Sequence, residues 1–188
     1  RISPLRLFTA AGPDREKLDF ILANVRGAAE REGDILAQMA STRAAEMRLT
    51  QLFAEHGTNT VLAAIAAIHD RAEAQMRAAI AQVPDGTYQG EDWLDDDGSG
   101  RERIAIRVTV RIKGDEATFD FSASDDAVPG PVNTTPFITA ASVFYVAKAL
   151  LGPDIQPSGG CYRPLKIVTR QGSVLDPGAD KPVVGGNH

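Results

Sequence analysis

The chain has 188 residues, 43% hydrophobic and 24% charged, with 20 Lys and Arg against 25 Asp and Glu and a formal net charge of -5. That is the make-up of a packed fold with one or two small cores, which excludes a disordered or fibrous chain. It has no basic stripe to neutralise phosphates and no apolar run near the roughly 20 residues that cross a bilayer, so neither nucleic acid nor membrane is an expected partner.

The opening Arg1-Ile2-Ser3-Pro4 has neither an initiator Met nor the lead of a signal peptide, and the closing Gly185-Gly186-Asn187-His188 stops in a glycine turn. These ends read as those of an interior segment of a longer subunit. The single cysteine, Cys161, leaves no intrachain disulfide and fits a reducing compartment, the cytoplasm.

The first half reads as helical. Asp14 is placed to cap a helix carrying Leu18, Ile21, Leu22 and Val25 on one face, with Pro13 left outside. Gly33 interrupts, and Asp34 is placed to cap a second helix that ends at His56-Gly57. After about three linking residues, Thr60 leads a third, on which Val61, Ile65, Ile68, Ala72, Met76, Ala79 and Val83 share a face. Short connections predict antiparallel packing of these helices.

Beyond Pro84-Asp85-Gly86 the period changes from helical to alternating. Thr87-Tyr88-Gln89 and Trp93-Leu94 suggest a strand running into acids, and Ile104, Ile106, Val108, Val110 and Ile112 alternate with polar partners. A turn at Lys113-Gly114-Asp115-Glu116 leads to Phe119 and Phe121, which completes an antiparallel hairpin. Thr135 and Pro136 start a helix over 136–151 whose expected buried stripe is Phe137, Ala140, Ala141, Phe144, Ala147 and Leu151. Leu165-Lys166-Ile167-Val168 reads as one more strand. The fold class is α+β: N-terminal antiparallel helices over 1–83, then an antiparallel β-rich region over 84–188 with one packed helix.

Chemistry concentrates in Glu91-Asp92-Trp93-Leu94-Asp95-Asp96-Asp97-Gly98-Ser99-Gly100. An EF-hand aligned on Asp95 fails at its twelfth position, where Ile106 stands in place of a bidentate Glu. A solvated acidic hairpin turn is the plain reading; another cation geometry, or a non-enzymatic module that holds calcium or a basic protein, is its rival. No Walker-type loop or dinucleotide fingerprint occurs, and His56, His69 and His188 have no zinc spacing, so neither a metal nor a cofactor is expected to be bound by this chain. Cys161 follows Gly159-Gly160, which favours close substrate approach, but it has no local base and reads first as a buried or half-buried thiol. Asn133 and Arg163 sit in glycine- and proline-rich loops, where binding groups often lie.

Taken in order, Pro84-Asp85-Gly86, Asp92-Trp93-Leu94-Asp95-Asp96-Asp97-Gly98, Asp120-Phe121, Gly130-Pro131-Val132-Asn133 and Gly160-Cys161-Tyr162-Arg163-Pro164-Leu165 resemble the hydantoinase B/oxoprolinase family. Leu5-Arg6-Leu7, Ile21 to Arg26, Glu30 to Gln38 and the closing Gly186-Asn187 resemble it too, so the likeness covers nearly the whole chain. It implies part of the B subunit of an ATP-dependent hydrolase of a cyclic amide, of the N-methylhydantoin or 5-oxoproline type, with a ketone carboxylase subunit as the alternative. In that family a partner A-type subunit binds ATP and activates an inert carbonyl by phosphoryl transfer. The family's His- and Asp-rich metal-binding stretches precede the segment matched here, so the resemblance implies ATP, Mg and a divalent metal in the parent assembly only. This chain would supply scaffold and pocket wall and be inactive alone. The candidate pocket or loop residues are Asp95, Asp96, Asp97, Asn133, Cys161, Arg163 and Asn187, with catalytic groups unassigned.

Overall fold

The computed structural model describes residues 4–184, so Asn187 lies outside the described residues. The fold is α+β, and the chain divides into two compact units, Arg1–Ala64 and Ile65–His188.

In the first unit, strands β1 (Phe8–Thr9) and β2 (Gly12–Pro13) form a small antiparallel ribbon that leads into helix α1 (Arg15–Leu22). Asp14 is the N-cap: its carboxylate accepts from the Lys17 backbone N–H at 3.3 Å and pairs with the Lys17 ammonium at 2.5 Å. Leu18 and Leu22, one turn apart, are the buried pair of α1. Helix α2 (Ala28–His56) departs from expectation by running straight through Gly33. A mid-helix glycine costs only about 1 kcal/mol relative to alanine, whereas a break would leave a new set of unsatisfied helix-end groups. Asp34 accordingly does not cap; it pairs with Arg31 at 2.9 Å. None of the α2 residues is buried. Helix α3 (Thr58–Ile80) starts two residues earlier than expected, so Gly57 alone is the connection and Thr58, not Thr60, opens the helix.

From Ile65 onward α3 belongs to the second unit, where Ala72, Met76 and Ile80 repeat every four residues and face the core, while Ile65 and Ile68 stay exposed. A four-stranded sheet follows in the order β3 (Gly86–Asp96), β4 (Glu102–Lys113), β5 (Glu116–Asp120), β6 (Leu165–Val168). The expected hairpin is β4–β5, with Val110 opposite Phe119 and Ile112 opposite Ala117. The sheet is mixed rather than wholly antiparallel, because β6 lies parallel to β5 with Ile167 opposite Phe119. The cause is the connection: a long crossover that carries helix α4 (Pro136–Leu151) can bring the chain back in the same direction, which a tight turn cannot.

Two apolar clusters hold this unit. One joins Ala72, Met76 and Ile80 of α3 to Ile112, Ala117, Ala147, Cys161 and Leu165, with Phe144 and Tyr162 stacked at 4.3 Å beside it. The other consists of Ile104, Val128, Val174 and Leu175. Helix α4 meets the fold through Thr139, Val143 and Ala147, whereas Phe137 is 83% exposed and Ala141 also faces outward. The expected stripe is therefore rotated. A helix apolar on every side carries no pattern that marks its inner face. Thr135 does occupy the N-cap and Pro136 the first turn, but the Thr135 hydroxyl makes no cap bond.

At Gly160 the backbone lies directly on helix α3: an added Cβ would sit 1.9 Å from the His69 carbonyl oxygen. Because that neighbour is helix backbone, it cannot swing aside. Gly160→Ala is expected to cost about 1–3 kcal/mol by forcing α3 away from the Cys161 loop, read as a lowered urea midpoint. An unchanged midpoint would show that α3 is not seated on Gly160.

Candidate functional site

The acidic stretch divides by environment. Glu91, Asp92, Asp95 and Asp96 belong to the exposed strand β3, and Asp96 accepts from the Gly98 N–H at 2.7 Å. Asp97 is the opposite of a solvated turn residue, being only 1% exposed. Its Oδ1 accepts from the Ser99 and Arg101 N–H groups at 2.8 and 3.0 Å, and its Oδ2 accepts from the Gly130 N–H at 3.0 Å. Burial by itself would raise the Asp97 pKa, but the N–H groups of Arg101, Ser99 and Gly130 outweigh it and hold the carboxyl below its ordinary range. Gly130 is required where it stands, since a Cβ there would lie 1.8 Å from the Asp97 carbonyl oxygen.

Asn133 continues this lock. Fully buried, it accepts from the Val128 N–H at 2.9 Å and donates to the carbonyls of Val128, Gly130 and Pro182 at 2.9, 3.0 and 3.0 Å. Asp97 and Asn133 thus meet at Gly130 and brace a polar cleft of about 420 Å³ lined in part by Arg101, Asp125, Asp126 and Arg170. Asp125 accepts from Arg107 at 3.0 Å, Arg101 at 3.3 Å and the Ala105 N–H at 3.2 Å. Burial again works against its charge, yet those donors keep its carboxyl below the usual range. Arg170 pairs with Asp126 at 2.8 Å and donates to the carbonyls of Ser122 and Ser124 at 3.1 and 2.9 Å. The cleft offers fixed donors and acceptors to a polar ligand, and none of its groups is an activated nucleophile. Sequence reading missed this set because Arg101, Asp125 and Arg170 form no local motif; only the strand pairing and the loop at 170–176 bring them together.

Cys161 and Arg163 belong to the other end of the unit. The buried Cys161 thiol donates to the Ser158 carbonyl at 3.0 Å and packs in the α3 cluster. Arg163 pairs with Asp70 and Glu73 of α3, each at 2.9 Å, and Glu73 also accepts from Arg77 at 2.9 Å. Arg163 first, and Arg77 second, hold the Glu73 carboxyl below its ordinary range. Arg77 reaches on to Asp115 and Glu116 at 3.2 Å, so the chain of charges fastens α3 to the β4–β5 turn and to the loop before β6. Asp95 is exposed on β3, and on β4 Arg103 is a non-glycine residue at φ 52 whose guanidinium lies 5.1 Å from the Trp93 ring centre. Among the described residues no group of three or more His, Cys, Asp or Glu is placed to hold a metal ion. No helix among the described residues is long and apolar enough to cross a membrane.

This architecture has known counterparts. A family model described as hydantoinase B/oxoprolinase matches residues 1–188, and the chain belongs to that family. It is 34% identical to the 5-oxoprolinase of Saccharomyces cerevisiae over 158 residues, which is 82% of this chain and 12% of the yeast protein. Its fold matches the ATP-dependent caprolactamase of Pseudomonas jessenii with a TM-score of 0.86 at 28% identity, over 98% of this chain and 32% of that one. A nucleotide-free acetone carboxylase shares the fold at a TM-score of 0.82 and 14% identity, over 99% of this chain and 26% of that one. The chain therefore spans between 12% and 32% of the length of these proteins.

The Asp97 lock makes a pH-dependent prediction. Its folded pKa lies below the unfolded value of about 3.9, so its contribution is complete above that value and is lost as pH falls through the folded one. Asp97→Asn keeps one acceptor but turns an amide donor on the Gly130 N–H, and should lower the urea midpoint at pH 7. The gap to the unaltered chain should close as pH is lowered from 4 toward 2. A gap that stayed constant with pH would mean that the Asp97 charge does not hold the turn.

Proposed function

We propose that the chain forms part of the B subunit of an ATP-dependent hydrolase of cyclic amides, working with an A-type ATP-binding subunit in the cytoplasm. The observation that carries this reading is the match to the caprolactamase fold over 98% of the chain at 28% identity, joined to the 34% identity with an oxoprolinase. The acetone carboxylase likeness, at 14% identity, speaks for the fold alone. A ring amide resists water because nitrogen donates into its carbonyl; ATP in the parent assembly would supply the activation, with Mg and a divalent metal as the ions it uses. Among the described residues no group of three or more His, Cys, Asp or Glu is placed to hold a metal ion, and Cys161 is a buried thiol bonded to the Ser158 carbonyl. What the chain contributes is the sheet, the loops braced by Asp97 and Asn133, and the wall of a pocket.

The parent subunit should be co-produced with an A-type partner and supplied with ATP and, separately, ε-caprolactam, 5-oxoproline, N-methylhydantoin, or acetone with bicarbonate. The expected outcome is ATP-dependent ring opening of at least one amide, with no turnover by the 188-residue chain alone. Carboxylation of acetone without any ring opening, or activity of the isolated chain, would overturn the reading.

A further inference from the structure

Helix α4 is seated unevenly. Toward its C-terminal end Ala147 is part of the close-packed cluster with Ala117 and Leu165, but its N-terminal end stands off the sheet. Between Leu94, Ile106 and Phe121 on the sheet side and Ile138, Thr139 and Ser142 on the helix lies a cavity of about 290 Å³. The space is a half-open, largely apolar pocket between helix and sheet, of the size that a small ring fills.

Its chemistry is specific in two respects. First, no Asp, Glu, Lys, Arg or His lines it, so a charge placed inside would be desolvated with no counter-ion. Second, the Thr139 hydroxyl donates to the Thr135 carbonyl at 3.4 Å and the Ser142 hydroxyl to the Ile138 carbonyl at 3.0 Å. Both protons are directed to helix carbonyls, the Ser142 bond being the closer, so these two hydroxyls, with Thr134 on the same lining, can present acceptor oxygen to a ligand. An apolar wall with acceptors at one side complements a hydrocarbon ring that carries an N–H. The volume suits one small ring and is too small for a nucleotide.

We propose that this cavity is a binding site for a small neutral lactam and that it discriminates against rings bearing a carboxylate. The assignment rests on the cyclic amide reading for the class of ring; the preference for a neutral one comes from the uncharged lining.

The test uses the ¹⁵N-labelled parent subunit, with ε-caprolactam and L-5-oxoproline as probes followed by amide shifts. Caprolactam should move the amides of Ile138 to Ser142 and of Val174 and Leu175 saturably, and 5-oxoproline should bind at least about tenfold more weakly. Ser142→Leu, at the exposed mouth, and Val132→Phe, on the loop wall, should each weaken caprolactam by about tenfold or more while amide dispersion is retained. The proposal is overturned if those amides do not move, if both probes bind equally, or if folded variants bind as before. Ring opening by the parent complex is a separate readout. Turnover without shifts at the cavity would remove this site and leave the function standing; binding without turnover would do the reverse.

Discussion

Three backbone N–H groups converging on one buried carboxylate set the geometry of the β-rich unit. Asp97 holds its own turn through Ser99 and Arg101 and captures the 129–134 loop through Gly130, so two segments far apart in sequence share one anchor. A buried charge is tolerable only because each oxygen is satisfied, and the same donors that stabilise it fix where the loop lies. Asn133 extends the order to Val128 and Pro182, and Val128 in turn packs with Ile104, Val174 and Leu175. The polar cleft and the cavity under α4 are both bordered by elements that this anchor positions.

A second constraint acts at the other end. Gly160 lets the Cys161 loop lie directly on the α3 backbone, and the charges running from Arg163 through Glu73 and Arg77 fasten the rim of that contact. The glycine matters more than the charges, since the ion pairs are partly solvated and pairs of that kind contribute little, whereas a Cβ at position 160 has nowhere to go. Cys161 is held here as a packed thiol bonded to the Ser158 carbonyl, with the space beside it taken up by side chains of the core.

Local pattern made much of the architecture legible. Asp14 capping α1, the stop at His56-Gly57, the β4–β5 hairpin and the bounds of the helix at 136–151 all depend on residues within a few positions of each other, and the ordered motifs from Pro84 to Leu165 pointed to the family. The continuous α2 shows the limit of the same reasoning. A glycine is a weak break signal, and the cost of new helix ends outweighed it at Gly33.

What the sequence by itself determined is therefore the period of each segment and the residues that start or stop it, because those are set by nearest neighbours along the chain. Tertiary structure alone decided that β6 lies parallel to β5, that α4 turns Thr139, Val143 and Ala147 inward, and that Asp97 is buried while Asp95 and Asp96 face water. It also assembled Arg101, Asp125, Asp126 and Arg170 into one cleft. Each of these outcomes depends on contacts between residues tens of positions apart. An acidic run, or a helix apolar all round, contains no local term that says which member or which face the rest of the fold will cover.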